Sequence, residues 1–503
     1  MPLHSLYSLS EIRAIEQTAG ADLPLDALMQ RAGQACAETA MTLCAELPSD
    51  AQQAQRILIL AGPGNNGGDA LETAYRLKKS SLAITVLLLG DPLKLPAAAQ
   101  AAWQRASDAS VEIVQWTDLD TQLPFIPSLV IDGLFGIGLS RPLEGAARAL
   151  IVLIDQLHCP VLAIDVPSGL DADTGSVVGG KAGCALRATR TLTMLGDKPG
   201  LHTGDGPDYC GHIEVAALGL DMQQFPAAQA YLTSKEIIFD HWPARRRNSH
   251  KGSYGDLIVV GGADGMSGAP LLAARSALYA GAGRVFAAFA GAVPAFDPGH
   301  PELMCRDAHT LDFSTATLVI GTGLGTSRHA ADLLVRALHA PGALVIDADA
   351  LNLISGEPGL QHILSNRRSA TILTPHPLEA ARLLGWTAAE IQSKRLHAAR
   401  LLTQRFNAVV ILKGAGTVIA AGKEALAINS TGNPGLATAG TGDVLAGLCG
   451  ALLAQHMEAH AAAVAAVWLH GAAADALVAQ GIGPVGLTAS ELPVAIRRLL
   501  NER

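Results

Sequence analysis

The stretch "RILILAGPGNNGGDALETAYRLKK", residues 56–79, decides the fold. A continuous apolar run, Ile57 to Ala61, feeds a glycine-rich turn that opens a helix-type segment. Runs of this kind, apolar at every position instead of alternating, belong to strands covered on both faces, and so to a parallel sheet flanked by helices. Gly62, Gly64 and Gly67 satisfy G-x-G-x-x-G, with Asp91 after the next strand where a ribose-binding acid would fall. Asp69 argues against a plain dinucleotide loop, because it puts a negative charge in the helical turn where a pyrophosphate would dock. Asn65 and Asn66 instead offer neutral carbonyl oxygens that, with a carboxylate nearby, suit a hard cation.

The same alternation continues through RILILAG, AITVLLLG, LVIDGLFG, VLAIDVP, TLTML and IEVAAL. The preceding segment, residues 11–47, reads as one or two helices packed on that sheet. The pattern lapses near residues 221–250 and restarts with DLIVVGG, TLVIGTG, ALVIDADAL, ATILTP, AVVILKG and TVIAAG, the last two forming a hairpin before a long alanine-rich helical tail. The expected fold class is α/β: a Rossmann-like three-layer domain over residues 1–222, then a second α/β domain over residues 223–503. A chain of 503 residues exceeds one ordinary core, which agrees with two domains.

Hydrophobic content of 49% against 16% charged describes a globular chain and excludes a disordered one. A net charge of −9 gives no general attraction to nucleic acid or anionic membrane. The seven cysteines are scattered and never paired as C-x-x-C, which reads as buried thiols in a reducing compartment. The N-terminal residues lack the blocks of a secretory signal, and the apolar stretch at 460–480 is interrupted by His470 and Asp475, short of a spanning helix. The expectation is a cytoplasmic protein with no nucleic-acid or membrane partner. Small-residue helical surfaces favour a homo-oligomer.

Two more strand ends carry chemistry in the first half. "LVIDGLFGIGLSRPL" ends on Asp132 and a flexible loop, and "VLAIDVPSGLDADTG" ends on Asp165 and Ser168. Ligands bind beyond the carboxyl ends of strands in open α/β sheets, and an aspartate on a buried strand must be paired or hold a cation. Together, "GPGNNGGDAL", "DGLFGIGL", "DVPSGLDADTG" and "KPGL" (198–201) resemble the YjeF N-terminal family, the NAD(P)HX epimerases, over roughly residues 10–220. The resemblance implies that Asn65, Asn66, Gly67, Gly68 and Asp69 contact the hydrated nucleotide. It also implies that Gly136, Ile137, Gly138, Leu139, Ser140, Arg141 and Pro142 cradle its phosphates. Asn66, Asp132 and Ser168 would contribute to a K⁺ site, and Asp165 would reach the nicotinamide end. The family usually has glycine where this chain has Ala70. Inversion at carbon 6 of the ring, by loss and return of water or by ring opening, needs a proton shuttle, and Asp165 is the candidate acid/base group.

The second half carries "NSTGNPGLATAGTGDVLAGLCGALLAQ", residues 429–455. Thr438 to Gly442 form a small-residue turn opening a helix, so N–H groups and the helix dipole face one point, where a phosphoryl group is stabilised. Asp443 sits close enough to take a proton from an attacking hydroxyl. Lys413 ends a strand ahead of Gly414, Ala415, Gly416 and Thr417, a turn that lets a nucleotide approach the backbone. His376 and Glu379 stand at a strand-to-helix junction, where the acid is placed to organise Mg²⁺ through water. These motifs are similar to the ribokinase-like superfamily. With "KGSYGDLIVVGG", "SGAPLLAARSALYAGAG", "GTGLG" and "TPHPLE" they resemble more closely the YjeF C-terminal family, the NAD(P)HX dehydratases, over about residues 230–500. The resemblance implies that Ala269, Gly323, His376 and Asp443 meet the hydrate, while Lys413 to Thr417 and Gly442 hold the adenine nucleotide.

The resulting expectation is a bifunctional enzyme acting on NADHX and NADPHX: epimerisation in the first domain with K⁺, dehydration in the second with Mg²⁺ and ADP, releasing AMP and phosphate. A small-molecule kinase of ribokinase type with a nucleotide-binding N-terminal domain is the alternative. The basic run Arg245-Arg246-Arg247 reads as a solvated linker.

Overall fold

A computed structural model describes every residue except 1–3, 21–22, 48–54, 81, 118, 240–241, 243 and 503. The chain divides into two compact units, Ser5–Ala230 and Tyr231–Arg503, the latter grouped with Met1–His4. The first unit holds a seven-stranded sheet in the spatial order Glu112–Trp116, Ala83–Leu89, Arg56–Ala61, Leu129–Gly133, Val161–Ile164, Arg190–Met194 and His212–Ala216. Every pairing in it is parallel. The predicted strands are all present. Glu112–Trp116 is an addition: it lies at the sheet edge with Glu112, Val114 and Gln115 exposed, so its sequence carries polar residues and lacks the continuous apolar signature.

Strand order reverses between Arg56–Ala61 and Leu129–Gly133, whose registers pair Leu60 with Asp132 and Ala61 with Gly133. The loops leaving these two strands therefore diverge and open a crevice. The Asn65–Leu77 helix fills one side of it, with Leu71, Ala74 and Leu77 buried. Close approach explains the two glycines of its first turn: a Cβ on Gly67 would stand 1.9 Å from the Gly62 carbonyl oxygen, and one on Gly68 2.5 Å from Met29 Cε. Ala70 is fully buried where its methyl faces the bare backbone of Gly133, so the small-to-small contact is kept from the partner strand. The segment ahead of the sheet forms two helices, Leu9–Gly20 and Ala27–Glu46.

The second unit is built on a larger sheet. From Val409–Leu412 it runs in parallel through Thr371–Leu373, Leu344–Ile346, Thr317–Ile320, Asp256–Gly261, Arg284–Phe289 and Met304–Asp307. Val409–Leu412 also begins the predicted hairpin, pairing antiparallel with Val418–Ala420. The order reverses between Asp256–Gly261 and Thr317–Ile320, placing a second crevice beyond their carboxyl ends. Helix Ala459–Ala479 has 21 residues and is long and apolar enough, by length and composition alone, to cross a membrane, contrary to the sequence expectation. Most of its residues, Ala462, Ala466, Leu469 and Ala473 among them, are buried in the core of this unit.

Arg245, Arg246 and Arg247 are all exposed, in keeping with a solvated linker, but Arg245 is also anchored. Its guanidinium donates to the Gly281 carbonyl and Gln455 Oε1 and lies over the Tyr254 ring, at the carboxyl ends of helices Gly268–Tyr279 and Thr441–Ala454. A cation there complements the negative ends of two helix dipoles.

Candidate active sites

In the first crevice, the loop after Leu129–Gly133 and the loop after Val161–Ile164 are joined through Asp132 and Ser168. Asp132 is wholly buried. Its carboxylate accepts from Ser168 Oγ at 2.6 Å, Ser168 N at 2.8 Å and Leu134 N at 3.2 Å. Ser168 Oγ in turn accepts from Phe135 N at 2.9 Å. No ion-pair partner stands beside Asp132 among the described residues, and burial, opposed by the Ser168 hydrogen bonds, pushes its carboxyl up. An uncompensated buried carboxylate wants either a proton or a cation.

Asp165 is compensated differently. It holds a left-handed backbone, φ 68°, rare for a residue with a side chain, and its Oδ1 meets Lys198 Nζ at 2.8 Å and Met194 N at 3.1 Å. Lys198 is completely buried and also donates to Thr193 Oγ1 at 2.6 Å and to the carbonyls of Met194 and Gly196, each at 3.1 Å. Three of the four polar contacts of this ammonium are therefore neutral, and one is Asp165. The other carboxylate oxygen faces Gly136. A Cβ on Gly136 would lie 3.2 Å from Asp165 Oδ2 and 3.2 Å from Asn66 Cγ. Asn66, itself buried, leaves Nδ2 without a hydrogen-bond partner. Asp165, Asn66 and the missing Gly136 side chain thus enclose one small polar space.

Asp69, one turn into the helix, has its carboxyl pushed well above the usual range by burial and then by the charges of Asp165, Glu16 and Glu72. Glu16 is raised too, by burial and by Asp165. Gly68 is buried in the same helical turn, while Asn65 is exposed. Gly138, Ser140, Arg141 and Pro142 lie exposed along the loop rim, with Ile137 and Leu139 packed into the core clusters below. The predicted residues therefore split into a buried polar knot and an open rim.

In the second crevice the first turn of helix Thr441–Ala454 carries Asp443, with Gly440 preceding it at φ 91°. Lys413 Nζ donates to Asp347 Oδ1 at 2.7 Å. A Cβ on Gly442 would lie 3.5 Å from that ammonium and 3.9 Å from Asp347 Oδ2. Asp443 is pushed up to about 7 by burial, then by Asp347, with Lys413 opposing. Burial works against the Lys413 charge, but Asp347, Glu379 and Asp443 more than offset it and raise its pKa. Ala269 and Gly323 touch: a Cβ on Gly323 would sit 3.1 Å from that of Ala269. Thr417 closes its own turn by donating to the Gly414 carbonyl at 2.9 Å.

His376 caps helix Pro377–Leu384. Its Nδ1 accepts from Leu378 N at 3.1 Å and Glu379 N at 3.3 Å, and Glu379 Oε2 accepts from His376 N at 2.8 Å. Glu379 Oε1 lies 3.2 Å from His376 Nε2, so both carboxylate oxygens are turned to this capping box. Burial and the nearby Lys413 hold the imidazole below its usual pKa, favouring the neutral ring that a cap requires.

Sequence reasoning did not single out Lys198, Asp347 or Glu16. Lys198 lay inside the quoted "KPGL" and Asp347 at the end of the quoted strand "ALVIDADAL", and both are charged groups bordering continuous apolar runs.

Two open, mainly parallel sheets, each gathering charged groups beyond the carboxyl ends of its strands, define a two-site α/β enzyme. Residues 257–497 match the family model for NAD(P)H-hydrate dehydratase and residues 25–200 that for the YjeF-related protein N-terminus. A bifunctional NAD(P)H-hydrate repair enzyme of Coxiella burnetii is 38% identical over 99% of each chain. Its Escherichia coli counterpart is 37% identical over 99% of this chain and 94% of its own. An ADP/ATP-dependent NAD(P)H-hydrate dehydratase of Bacillus subtilis, crystallised with ATP/Mg²⁺, is 32% identical over 52% of this chain and 94% of its own, with a TM-score of 0.47. The chain belongs to the family of bifunctional NAD(P)H-hydrate repair enzymes.

Proposed function

We propose that residues 1–222 epimerise (R)- and (S)-NAD(P)HX and that residues 223–503 dehydrate (S)-NAD(P)HX to NAD(P)H with ADP, releasing AMP and phosphate. The observation that carries the second half is Asp443: a carboxyl pushed up to about 7, in the first turn of a helix and beside the Lys413–Asp347 pair. A base whose pKa lies near the working pH is best matched to take a proton from an alcohol. In the proposed step the ring hydroxyl oxygen attacks the terminal phosphorus of ADP, its proton passes to Asp443, and AMP leaves. Phosphate then departs from carbon 6, where hydroxide would leave poorly, and a proton is lost from the neighbouring carbon 5 to form the ring double bond. Backbone N–H groups at the Gly440–Gly442 turn and the Lys413 ammonium meet the growing negative charge, each well-placed donor supplying a few kcal/mol on the order found for oxyanion holes. Ala269 and Gly323 present a surface of small residues for the hydrate.

Mg²⁺ would enter with the nucleotide, shielding charge on its phosphates. Among the described residues no three His, Cys, Asp or Glu converge as a ligand set, and a mostly hydrated Mg²⁺ on phosphates is its usual mode. In the first half, Asp132, Ser168 and Asn66 are the proposed K⁺ residues. The unpaired buried charge on Asp132 fits a monovalent cation, which would supply positive charge beside the substrate phosphates. Asp165 would shuttle the proton through Oδ2 while Lys198 holds Oδ1. The exposed Arg141 is placed to meet phosphate. The seven free cysteines agree with a reducing, cytoplasmic setting, and a homo-oligomer remains our reading of the assembly.

The test is incubation of mixed hydrate epimers with ADP. Equal yields of reduced nicotinamide, AMP and phosphate support the proposal; a stable phosphate ester of the substrate overturns it in favour of a kinase.

A further inference from the structure

Beneath the Lys413–Thr417 turn lies Arg395, the first residue of helix Arg395–Phe406 and only 1% exposed. A guanidinium there is costly. Burial pulls its pKa down to about 10, and it stands at the positive end of a helix dipole. Its contacts include Gln392 Oε1 at 2.7 Å from Nη1, the Leu412 carbonyl at 3.2 Å from Nη2, and the Lys413 carbonyl at 3.3 Å from both nitrogens. The fork therefore grips two successive peptide carbonyls where the strand ends.

A trans peptide points its C=O and N–H in opposite directions. With the Leu412 carbonyl held by Arg395, the Lys413 N–H points the other way, and it donates to the Pro375 carbonyl at 3.0 Å. With the Lys413 carbonyl also held, the Gly414 N–H must turn away from Arg395, and it donates to nothing among the described residues. Gly414 has φ 134°, and a Cβ there would stand 2.8 Å from Arg395 Nη1, so backbone and guanidinium are pressed together with no room for a side chain.

We infer that Arg395 is a positioning residue for the nucleotide: by clamping the Leu412 and Lys413 carbonyls it aims the Gly414 N–H and the Lys413 side chain at a phosphate of ADP. This rests on the reading of Lys413 to Thr417 as the turn that holds the adenine nucleotide. A lysine cannot replace the fork, since one ammonium lacks the paired planar donors that span two carbonyls. Arg395 itself would touch no substrate.

The test is steady-state dehydration by the full chain carrying Arg395→Lys, Arg395→Met or Gly414→Ala, with Lys413→Met alongside. Losing a hydrogen bond to a charged group is expected to raise KM for ADP about tenfold or more, while KM for the hydrate stays within about twofold and epimerisation by the same chain is unchanged. Gly414→Ala, which displaces the guanidinium, should give the same signature. If Arg395→Met fails to fold, Arg395→Lys and Gly414→Ala decide. Unchanged KM for ADP in folded Arg395→Lys, or equal rises in both KM values, overturns the inference. Unchanged KM for ADP in Lys413→Met overturns the nucleotide assignment instead, so the two failures are distinguishable.

Discussion

Asp347→Asn keeps the shape of a buried side chain and removes one negative charge from beside Asp443. Two consequences act in the same direction. The Asp347 charge, the second cause after burial of the raised Asp443 pKa, disappears, and Lys413, freed from its 2.7 Å partner, acts on Asp443 without compensation. Charges roughly 8 Å apart at an effective dielectric of about 20–40 interact by about 1–2 kcal/mol, and about 1.4 kcal/mol is one pH unit. Burial is untouched, so the carboxyl does not return to its ordinary value; its pKa should fall from about 7 to about 6. The assay is the pH profile of kcat/KM for hydrate dehydration at saturating ADP, followed by absorbance of reduced nicotinamide. At pH 6 the ionised fraction should rise from about one-tenth to about one-half, so activity relative to the plateau should increase about fivefold. An acidic limb that stays in place, or moves upward, refutes the assignment of Asp443 as the base controlled by this pair.

Asp443→Asn should lower dehydration by about 10²- to 10⁴-fold. It should also change the pH dependence of stability: with a folded pKa near 7 above the unfolded value, the native state binds the extra proton, so stability falls as pH rises from about 4 to 7. The asparagine variant should lose that fall, seen as a flatter Tm against pH. Lys198→Met strands the buried Asp165 charge and should destabilise the first unit by about 3–5 kcal/mol in denaturant unfolding, with epimerisation lost. Gly136→Ala puts a methyl 3.2 Å from Asp165 Oδ2 and should slow epimerisation at least about tenfold with dehydration intact; normal epimerisation would remove the enclosed space from the mechanism. Asp132→Asn should abolish stimulation of epimerisation by K⁺, measured as initial rate across K⁺ concentration.

Both sheets were legible because their central strands are buried on both faces and so carry continuous apolar runs, as in "ILILA" (57–61) and "VVIL" (409–412). The strand Glu112–Trp116 was not, since at an edge position solvent reaches Glu112, Val114 and Gln115, and the two polar residues break the apolar run. The site divides in the same way. Asp132 and Asp165 were visible as charges where apolar runs end, and Asp443 as the charge after a small-residue turn that opens a helix. Lys198 and Arg395 were not, because their meaning lies in contacts with distant residues or carbonyls that carry no sequence letter: Lys198 answers Asp165, 33 positions away in the numbering, and Arg395 answers the backbone at Leu412 and Lys413. His376 shows the opposite limit, since its local sequence is equally that of a ligand and of the helix cap it forms.

The most direct trial of a two-site chain is a mixing experiment with racemised hydrate and ADP. Wild type should convert both epimers completely. Asp165→Asn should stop rapidly at the one epimer that dehydration consumes, and Asp443→Asn should yield almost no reduced nicotinamide. The two variants combined in one tube should regain full conversion. Persistent half-conversion in that tube, or undiminished yield from Asp443→Asn alone, would contradict the division of chemistry between the two crevices.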